Sequence, residues 1–457
     1  MTVIFDSLPI SEWFPVYFTP IRDYVQQFLS CMHLYNSNNF NAMLMKTILL
    51  SMILFTFCLL SCTNEDDRNF GKDTPRYDIP LSTKSGEINT QVQKFSFDLY
   101  REVAKTEKEE NFCLSPLSAS LCLGMIMNGA DGDTYAEMQK TLGFEGFTNQ
   151  QINEYVQMMQ TELPKLDGRT IFTNANSLWI RNGYTLLPEF IQTNKTYYDA
   201  EVCNEPFDNS TLEKINSWCN KKTNGLIPEI INEIPDDIIS YLINAIYFKG
   251  VWTNEFKKSD TKDEPFYMAN GQTIQVPTMK QTQSNNFFAD EEVKAVELPY
   301  GNGAFSMFLF IPADPDKKSI DDIIKGLDQE TWQKWNEQLH TSTMTIHLPR
   351  FLIKTEKDLI ETLNSLGIKD AFNDYSANFT KMSITKRLYI GLLKQKTYIE
   401  LNESGTEAAA VTIGGMMITS TAPHIPTEIR FDHPFGYVLK EKSTGAILFA
   451  GKVGKPE

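Results

Sequence analysis

Between Glu403 and Ser420 the chain reads E-S-G-T-E-A-A-A-V-T-I-G-G-M-M-I-T-S, and no Lys or Arg occurs from Gly405 until Arg430. Such a stretch makes a poor core strand, because Ala and Gly bury little surface. It makes a poor helix as well, since β-branched residues and two glycines crowd its second half. It is suited to sliding between two existing strands without steric clash. In extended form Thr406, Ala408, Ala410 and Thr412 share one face, while Glu407, Ala409 and Val411 share the other. One face is small enough to be buried late and the other carries the charge outward. The plain alternative is an Ala/Gly-containing surface loop.

The flanks favour the first reading. Tyr398–Asn402 reads as a strand upstream, and Ile429–Leu439 and Ala446–Gly451 read as two more downstream. At 457 residues and 42% hydrophobic, the chain can bury a large core. No Pro/Gly/Ser-rich linker or internal repeat follows residue 90, so residues 89–457 are expected to form a single domain. A net charge of -16 repels phosphate backbones and argues against nucleic acid as a partner.

Lys46 precedes an apolar run from Thr47 to Leu60, too short for a comfortable membrane span but suited to a signal peptide. The run ends in Leu59-Leu60-Ser61-Cys62, which resembles a bacterial lipoprotein signal in which Cys62 is lipidated. Residues 43–61 are then the signal and residues 62–88, polar and acidic at their start, a tether. The resemblance implies a membrane partner through the N-terminal lipid, at a bacterial outer membrane facing either periplasm or exterior. The alternative is a signal peptide that happens to contain a Cys. Residues 1–42 are aromatic-rich without periodicity and sit awkwardly before a signal, so translation is expected to start at Met43 or Met45. The other reading is that they belong to the chain and destroy the signal. Cys113, Cys122, Cys203 and Cys219 show no metal-type spacing; a Cys203–Cys219 bridge is left open.

Along the chain, Val92, Phe95, Leu99 and Val103 recur at helical spacing, and Ser115-Pro116 opens an apolar helix that runs to Met127. Further helices are expected near Thr134–Leu142, Gln150–Leu163, Leu212–Thr223 and Lys357–Leu366. Strands are expected at Ile171–Ile180, Ile238–Phe248, Ala304–Ile311 and Thr343–Leu352. Helices early and strands late predict an α+β domain built on large antiparallel sheets.

The segment E-x-G-T-E-A-A-A (Glu403, Gly405, Thr406, Glu407, Ala408, Ala409, Ala410), with F-D-H-P-F at Phe431–Phe435 and A-I-L-F-A-G-K-V at Ala446–Val453, resembles the serpin family. The likeness covers roughly residues 90–457. It adds N-F-C-L-S-P-L-S (Asn111–Ser118), N-G-A-D-G-D-T (Asn128–Thr134), N-A-N-S-L-W (Asn174–Trp179), L-I-N-A-I-Y-F-K-G-V-W (Leu242–Trp252), V-E-L-P-Y (Val296–Tyr300) and L-P-R-F (Leu348–Phe351). The resemblance implies that the alanine-lined segment is the hinge of a reactive-centre loop. It also implies that Ser115, Ser118 and Asn244 form a hydrogen-bonded shutter and that Trp252 packs where the loop enters. Gln395 stands where many members carry a shutter His. The residues by themselves permit milder readings: a helix N-terminus for Ser115 and Ser118, a buried amide for Asn244, a core aromatic for Trp252.

No G-x-S-x-G elbow, H-E-x-x-H or phosphate-binding loop appears, and His340, His347, His424 and His433 are scattered. Neither an enzyme nor a cofactor or metal site is expected. The expected function is suicide inhibition of a protease: attack on the loop, then zipping of the freed chain from Gly405 onward into the central sheet. The family's spacing puts the scissile bond at Thr419–Ser420, with Met416, Met417 and Ile418 as neighbouring candidates. A bait without a basic residue points away from trypsin-like enzymes and toward elastase-, chymotrypsin- or subtilisin-like serine proteases; a cysteine protease stays open. The protein is expected to act as a monomer. The alternatives are a non-inhibitory member that is cut without trapping, and a surface binding lipoprotein.

Overall fold

Ile88, Val92, Phe95, Leu99 and Val103 recur every three or four residues, and all are buried on helix α1 (Thr83–Thr106). The computed structural model in which they lie describes residues 72–236, 238–384, 388–406 and 427–456. These belong to one unit that starts at Asn69. Strand β1 (Phe112–Leu114) and helix α2 (Pro116–Met127) follow. Every residue of α2 is buried, as its sequence P-L-S-A-S-L-C-L-G-M-I-M requires, so it runs through the interior. Helices α3 (Gly132–Thr141), α4 (Asn149–Glu162), α5 (Pro188–Tyr198) and α6 (Asn209–Lys222) alternate with strands β2 (Thr170–Arg181) and β3 (Glu201–Glu205).

Strand β4 (Ser240–Val251) is the centre of the molecule. Leu242, Ile246 and Phe248 join the main core with α2. Tyr241, Ile243 and Ala245 join a second core with Trp179, Ile215 and Trp218 beneath α6. Burial on both faces explains why the run from Tyr241 to Phe248 is apolar at every position but Asn244.

The remaining elements are β5 (Lys262–Tyr267), β6 (Thr273–Ala289), β7 (Val293–Tyr300), β8 (Phe305–Pro312), α7 (Ile320–Gly326), α8 (Gln329–Gln338), β9 (His340–Pro349), β10 (Phe351–Asp358), α9 (Ile360–Leu366), β11 (Leu393–Asn402), β12 (Gly405–Thr406), β13 (Thr427–Arg430), β14 (Phe435–Glu441) and β15 (Ile447–Val453). The central sheet has the order β10-β11-β12-β4-β2-β3. The second sheet runs β1-β15-β14-β8-β7-β6-β9-β13, with β5 paired to β6.

Four expectations need correction. The strand expected over Thr343–Leu352 is two strands in different sheets, because the chain changes sheet at Arg350 after Pro349. The Ile429–Leu439 strand is likewise split into β13 and β14 around Asp432-His433-Pro434, since proline cannot continue a ladder. The helix expected from Lys357 starts at Ile360, with Lys357 still in β10. The boundary drawn between residues 88 and 89 falls inside α1, whose true start is marked by Ser82 capping the Ser85 amide. Helices α5, α7 and α8 were not anticipated.

Candidate functional site

The polar cluster under the central sheet begins at the N-terminus of α2. Ser115 occupies the N-cap position, but its hydroxyl makes no cap bond. It donates to the Leu448 carbonyl at 2.6 Å on β15. Gln395 on β11 reads the Ser115 peptide on both sides, accepting from its N–H (2.8 Å) and donating to its carbonyl (3.0 Å). One turn on, the Ser118 hydroxyl donates to Asn174 (2.8 Å) and also meets Asn244. The Asn244 amide in turn donates to Asn174 (2.9 Å) and Asn176 (2.8 Å). Asn176, Asn244 and Gln395 stand in one register row across β2, β4 and β11. The partners of Asn244 are therefore mainly side chains, and Gln395 both donates and accepts within the cluster.

Strands β11 and β4 pair directly, and in parallel, only from Leu393↔Leu242 to Lys396↔Ala245. At their other ends they are joined through β12. Thr406 and Gly405 pair with Leu401 and Asn402 on one side and with Gly250 and Val251 on the other, antiparallel to both. Residues 397–400 and 246–249 lie between these two pairing regions, so the strands diverge around a wedge with β12 at its mouth.

Tight packing sets the mouth. The Thr406 hydroxyl is 2.7 Å from that of Tyr300, and both side chains are buried. Burial pushes the Tyr300 phenol well above its ordinary pKa, so it stays a neutral hydrogen-bonding group. Trp252 stacks on Tyr300 with centroids 4.3 Å apart. Its indole N–H donates to the Asn402 carbonyl (3.0 Å), and its backbone N–H to that of Ser404 (2.8 Å). Gly405 has φ 141°, and a Cβ there would lie 2.0 Å from the Gly250 carbonyl oxygen, so any other residue is strained and must displace backbone.

Glu403 anchors the turn before β12. Its carboxylate accepts from Thr261 (2.6 Å) and from the Arg350 guanidinium, which also approaches it through Nε at 2.9 Å. Burial works to raise this carboxyl's pKa, but the Arg350 and Thr261 hydrogen bonds outweigh it and hold it below the usual carboxylate range.

The structure thus brings Ser115, Ser118, Asn244 and Gln395 into one cluster and Trp252, Glu403, Gly405 and Thr406 into another. Glu407, Ala408, Ala409, Ala410, Met416, Met417, Ile418, Thr419, Ser420 and Cys62 lie outside the described residues. Cys113, Cys122, Cys203 and Cys219 are free thiols, so Cys203 and Cys219 are not bridged. The expectation that the sheet accepts the chain from Gly405 only after cleavage is corrected here, because Gly405 and Thr406 are already seated in it. Tyr300, Arg350, Asn174 and Asn176 were missed as site residues. Each sits inside a motif already singled out, V-E-L-P-Y, L-P-R-F or N-A-N-S-L-W, so the signal was present without an assigned role.

The central sheet is opened by a wedge between β11 and β4, with the glycine-threonine strand β12 at its mouth. A family model described as Serpin (serine protease inhibitor) matches residues 90–456, and the chain belongs to the serpin family. It is 32% identical over 381 residues to the leukocyte elastase inhibitor of Equus caballus, covering 81% of this chain and 100% of that protein. Among solved structures it resembles the native state of Tengpin, a thermophilic serpin, with TM-score 0.76 and 30% identity over 86% of this chain and 99% of that one. It also resembles human thyroxine-binding globulin in complex with thyroxine, with TM-score 0.75 and 27% identity over 82% of this chain and 100% of that one. Serpins are mostly protease inhibitors, and thyroxine-binding globulin is a member that is not.

Proposed function

We propose that this serpin inhibits its protease as a suicide substrate, by insertion of residues 407 onward into the wedge between β11 and β4. The observation that carries the reading is β12 seated at the mouth of that wedge, antiparallel to both walls. Continuing its register sets residue 408 beside Phe248 and Ile399, and residue 410 beside Ile246 and Thr397. Those four side chains are buried on the core side. Ala408 and Ala410 suit such neighbours, whereas a large or charged side chain there would clash or be desolvated. Glu407 would face outward between Lys249 and Glu400. Through residue 410 the arm fills the wedge without breaking a direct β11–β4 pair. From residue 411 each step separates one, the second being Gln395↔Asn244. Each ladder bond contributes only about 0.5–1.5 kcal/mol net, so insertion must gain along the whole strand.

In this reading the protease nucleophile forms an acyl-enzyme at Thr419–Ser420 or a neighbouring bond, and insertion carries the enzyme away before hydrolysis. A bait without Lys or Arg fits elastase-, chymotrypsin- or subtilisin-like enzymes. The apolar run Thr47–Leu60 ending in Leu59-Leu60-Ser61-Cys62 supports the further proposal of attachment through a lipid on Cys62 at a bacterial outer membrane. Incubation with elastase and a denaturing gel tests the proposal. A covalent high-mass band together with raised thermal stability of the nicked protein is expected; nicked protein alone, with unchanged stability, would assign it instead to the non-inhibitory members.

A further inference from the structure

Residues 72–81, expected as part of a tether, form an irregular strap that ends at the Ser82 cap of α1. Among the described residues no backbone–backbone hydrogen bond holds residues 73–81. The strap is fixed at two points instead. At the first, Thr74 sits between two turns. Its hydroxyl accepts from the Gly168 N–H (2.9 Å), and its carbonyl accepts from the Asn302 amide (3.1 Å), which also donates to the Leu166 carbonyl (2.8 Å). The strap crosses Gly168 so closely that a Cβ there would lie 2.5 Å from the Lys72 carbonyl oxygen. At the second point Ile79 is buried in the main core, and its N–H donates to the Ser443 hydroxyl (3.0 Å).

Both turns that Thr74 joins support the mouth of the central sheet. Gly301 donates its N–H to the Val251 carbonyl (2.8 Å) and accepts from the Thr253 hydroxyl (2.9 Å). The Arg169 carbonyl accepts from the Val251 N–H, and its guanidinium donates to the Trp252 carbonyl, each at 3.4 Å. Val251 in turn pairs with Gly405 of β12. Between the two fixed points, Pro75, Arg76, Tyr77 and Asp78 are all exposed. Arg76 meets the exposed Asp78 carboxylate at 3.2 Å, and the Tyr77 hydroxyl donates to Glu162 at the end of α4 (3.1 Å). Solvent-exposed contacts of this kind hold a chain weakly. Irregular, exposed chain near a terminus opens locally and is where proteases cut.

We propose that Arg76–Tyr77 is a regulatory cleavage site for a protease that cuts after a basic residue, and that the cut unfastens the mouth of the central sheet. Hydrolysis adds water across this amide, leaving a carboxylate on Arg76 and a free amino group on Tyr77. Thr74 then belongs to an end without its second fixed point, and it leaves with residues up to 76. Asp73, 3.9 Å from Arg169, leaves with it. Ile79 keeps the rest of the strap docked. Gly168 and Asn302 lose their shared partner, and the turns behind Val251 loosen. A protease of this class finds no basic residue between Gly405 and Ile429, so its cut in the strap is separate from any cut in that segment. The site does not depend on the inhibitor reading.

Brief digestion of the intact protein with trypsin, read by mass spectrometry and hydrogen exchange, tests it. A body beginning at Tyr77 should form. Its peptides over residues 166–170, 250–253 and 300–304 should exchange roughly tenfold faster than before the cut, relative to β14 in the same molecule. Arg76→Gln, digested in parallel, keeps every other basic residue. It should yield no Tyr77 terminus, and a cut after Lys72 should leave the mouth as it was, because Thr74 stays in place. Thr74→Val removes the acceptor for Gly168 and should give a smaller rise at the same peptides without any cut. The proposal is overturned if trypsin cuts other bonds and leaves Arg76–Tyr77 whole. It is equally overturned if the body beginning at Tyr77 exchanges as the intact protein does, or if digested Arg76→Gln loosens to the same extent.

Discussion

The Thr406 hydroxyl meets the Tyr300 phenol at 2.7 Å inside the mouth of the central sheet, so the first residue of the alanine-lined arm is already buried against β7. Thr406→Arg cannot keep that place, because an unpaired guanidinium would be desolvated beside a neutral phenol. The variant is expected to fold with β12 expelled and to be cut by elastase without trapping it. A densitometric count of covalent against cleaved product checks this, and unchanged trapping would contradict the insertion route.

Gly405→Ala forces a Cβ into the Gly250 carbonyl oxygen, a backbone atom that cannot turn aside. With φ at 141° the residue is strained besides, so a loss of about 1–3 kcal/mol is expected. Hydrogen exchange should show it first at Gly250, Val251, Leu401 and Asn402, the register partners of β12.

The lowered pKa of Glu403 fixes the sign of an acid effect. A carboxyl whose folded pKa lies below its unfolded value of about 4.3 contributes stability that is complete above that pH and is lost as pH falls through the folded value. Glu403→Gln should flatten the acid limb of the stability profile. Glu403→Ala should cost about 1.5–3 kcal/mol at neutral pH in urea unfolding, since it removes charge-assisted bonds from Arg350 and Thr261.

Glu297 gives a larger and separable case. Burial works to raise its pKa, yet Lys440, Lys442 and Asn286 bring it down to about 2. Its contribution should disappear between about pH 4.3 and 2, the window between unfolded and folded titration. Lys440 is itself buried against Trp332 and Phe308, so Glu297→Ala leaves a desolvated ammonium and should cost about 3–5 kcal/mol. A double variant with Lys440→Met should recover much of that loss.

Gln395→Ala would leave the buried Ser115 N–H and carbonyl without their side-chain partner, at about 1–3 kcal/mol. Gln395→His supplies one donor and one acceptor on a ring of different shape and should restore only part of this. Thermal unfolding of the three proteins gives the order.

Local pattern alone located many of the elements. α2 was legible because an all-apolar helix opened by Ser-Pro has only an interior to occupy. β4 was legible because its run from Tyr241 to Phe248 is apolar on both faces apart from Asn244, which a surface strand would not be. β13 and β14 were merged, and β9 and β10 likewise, because a one- or four-residue break around proline leaves the alternation of apolar residues almost intact. α7 and α8 were missed although Ile320, Ile323 and Ile324, and Trp332 and Trp335, stand at helical spacing behind the caps Ser319 and Asp328, because each helix is only two or three turns long.

The order of residues by itself settled which side chains are small, which face of a strand is apolar and where a helix starts, since these depend on neighbours within a few positions. It did not settle that Gln395 pairs with Ser115, 280 residues away, or that Glu403 meets Arg350 and Thr406 meets Tyr300. Such pairs repay the entropy of closing long loops only when the entire sheet is assembled around them. Only the tertiary structure therefore decided how far β12 sits between β4 and β11.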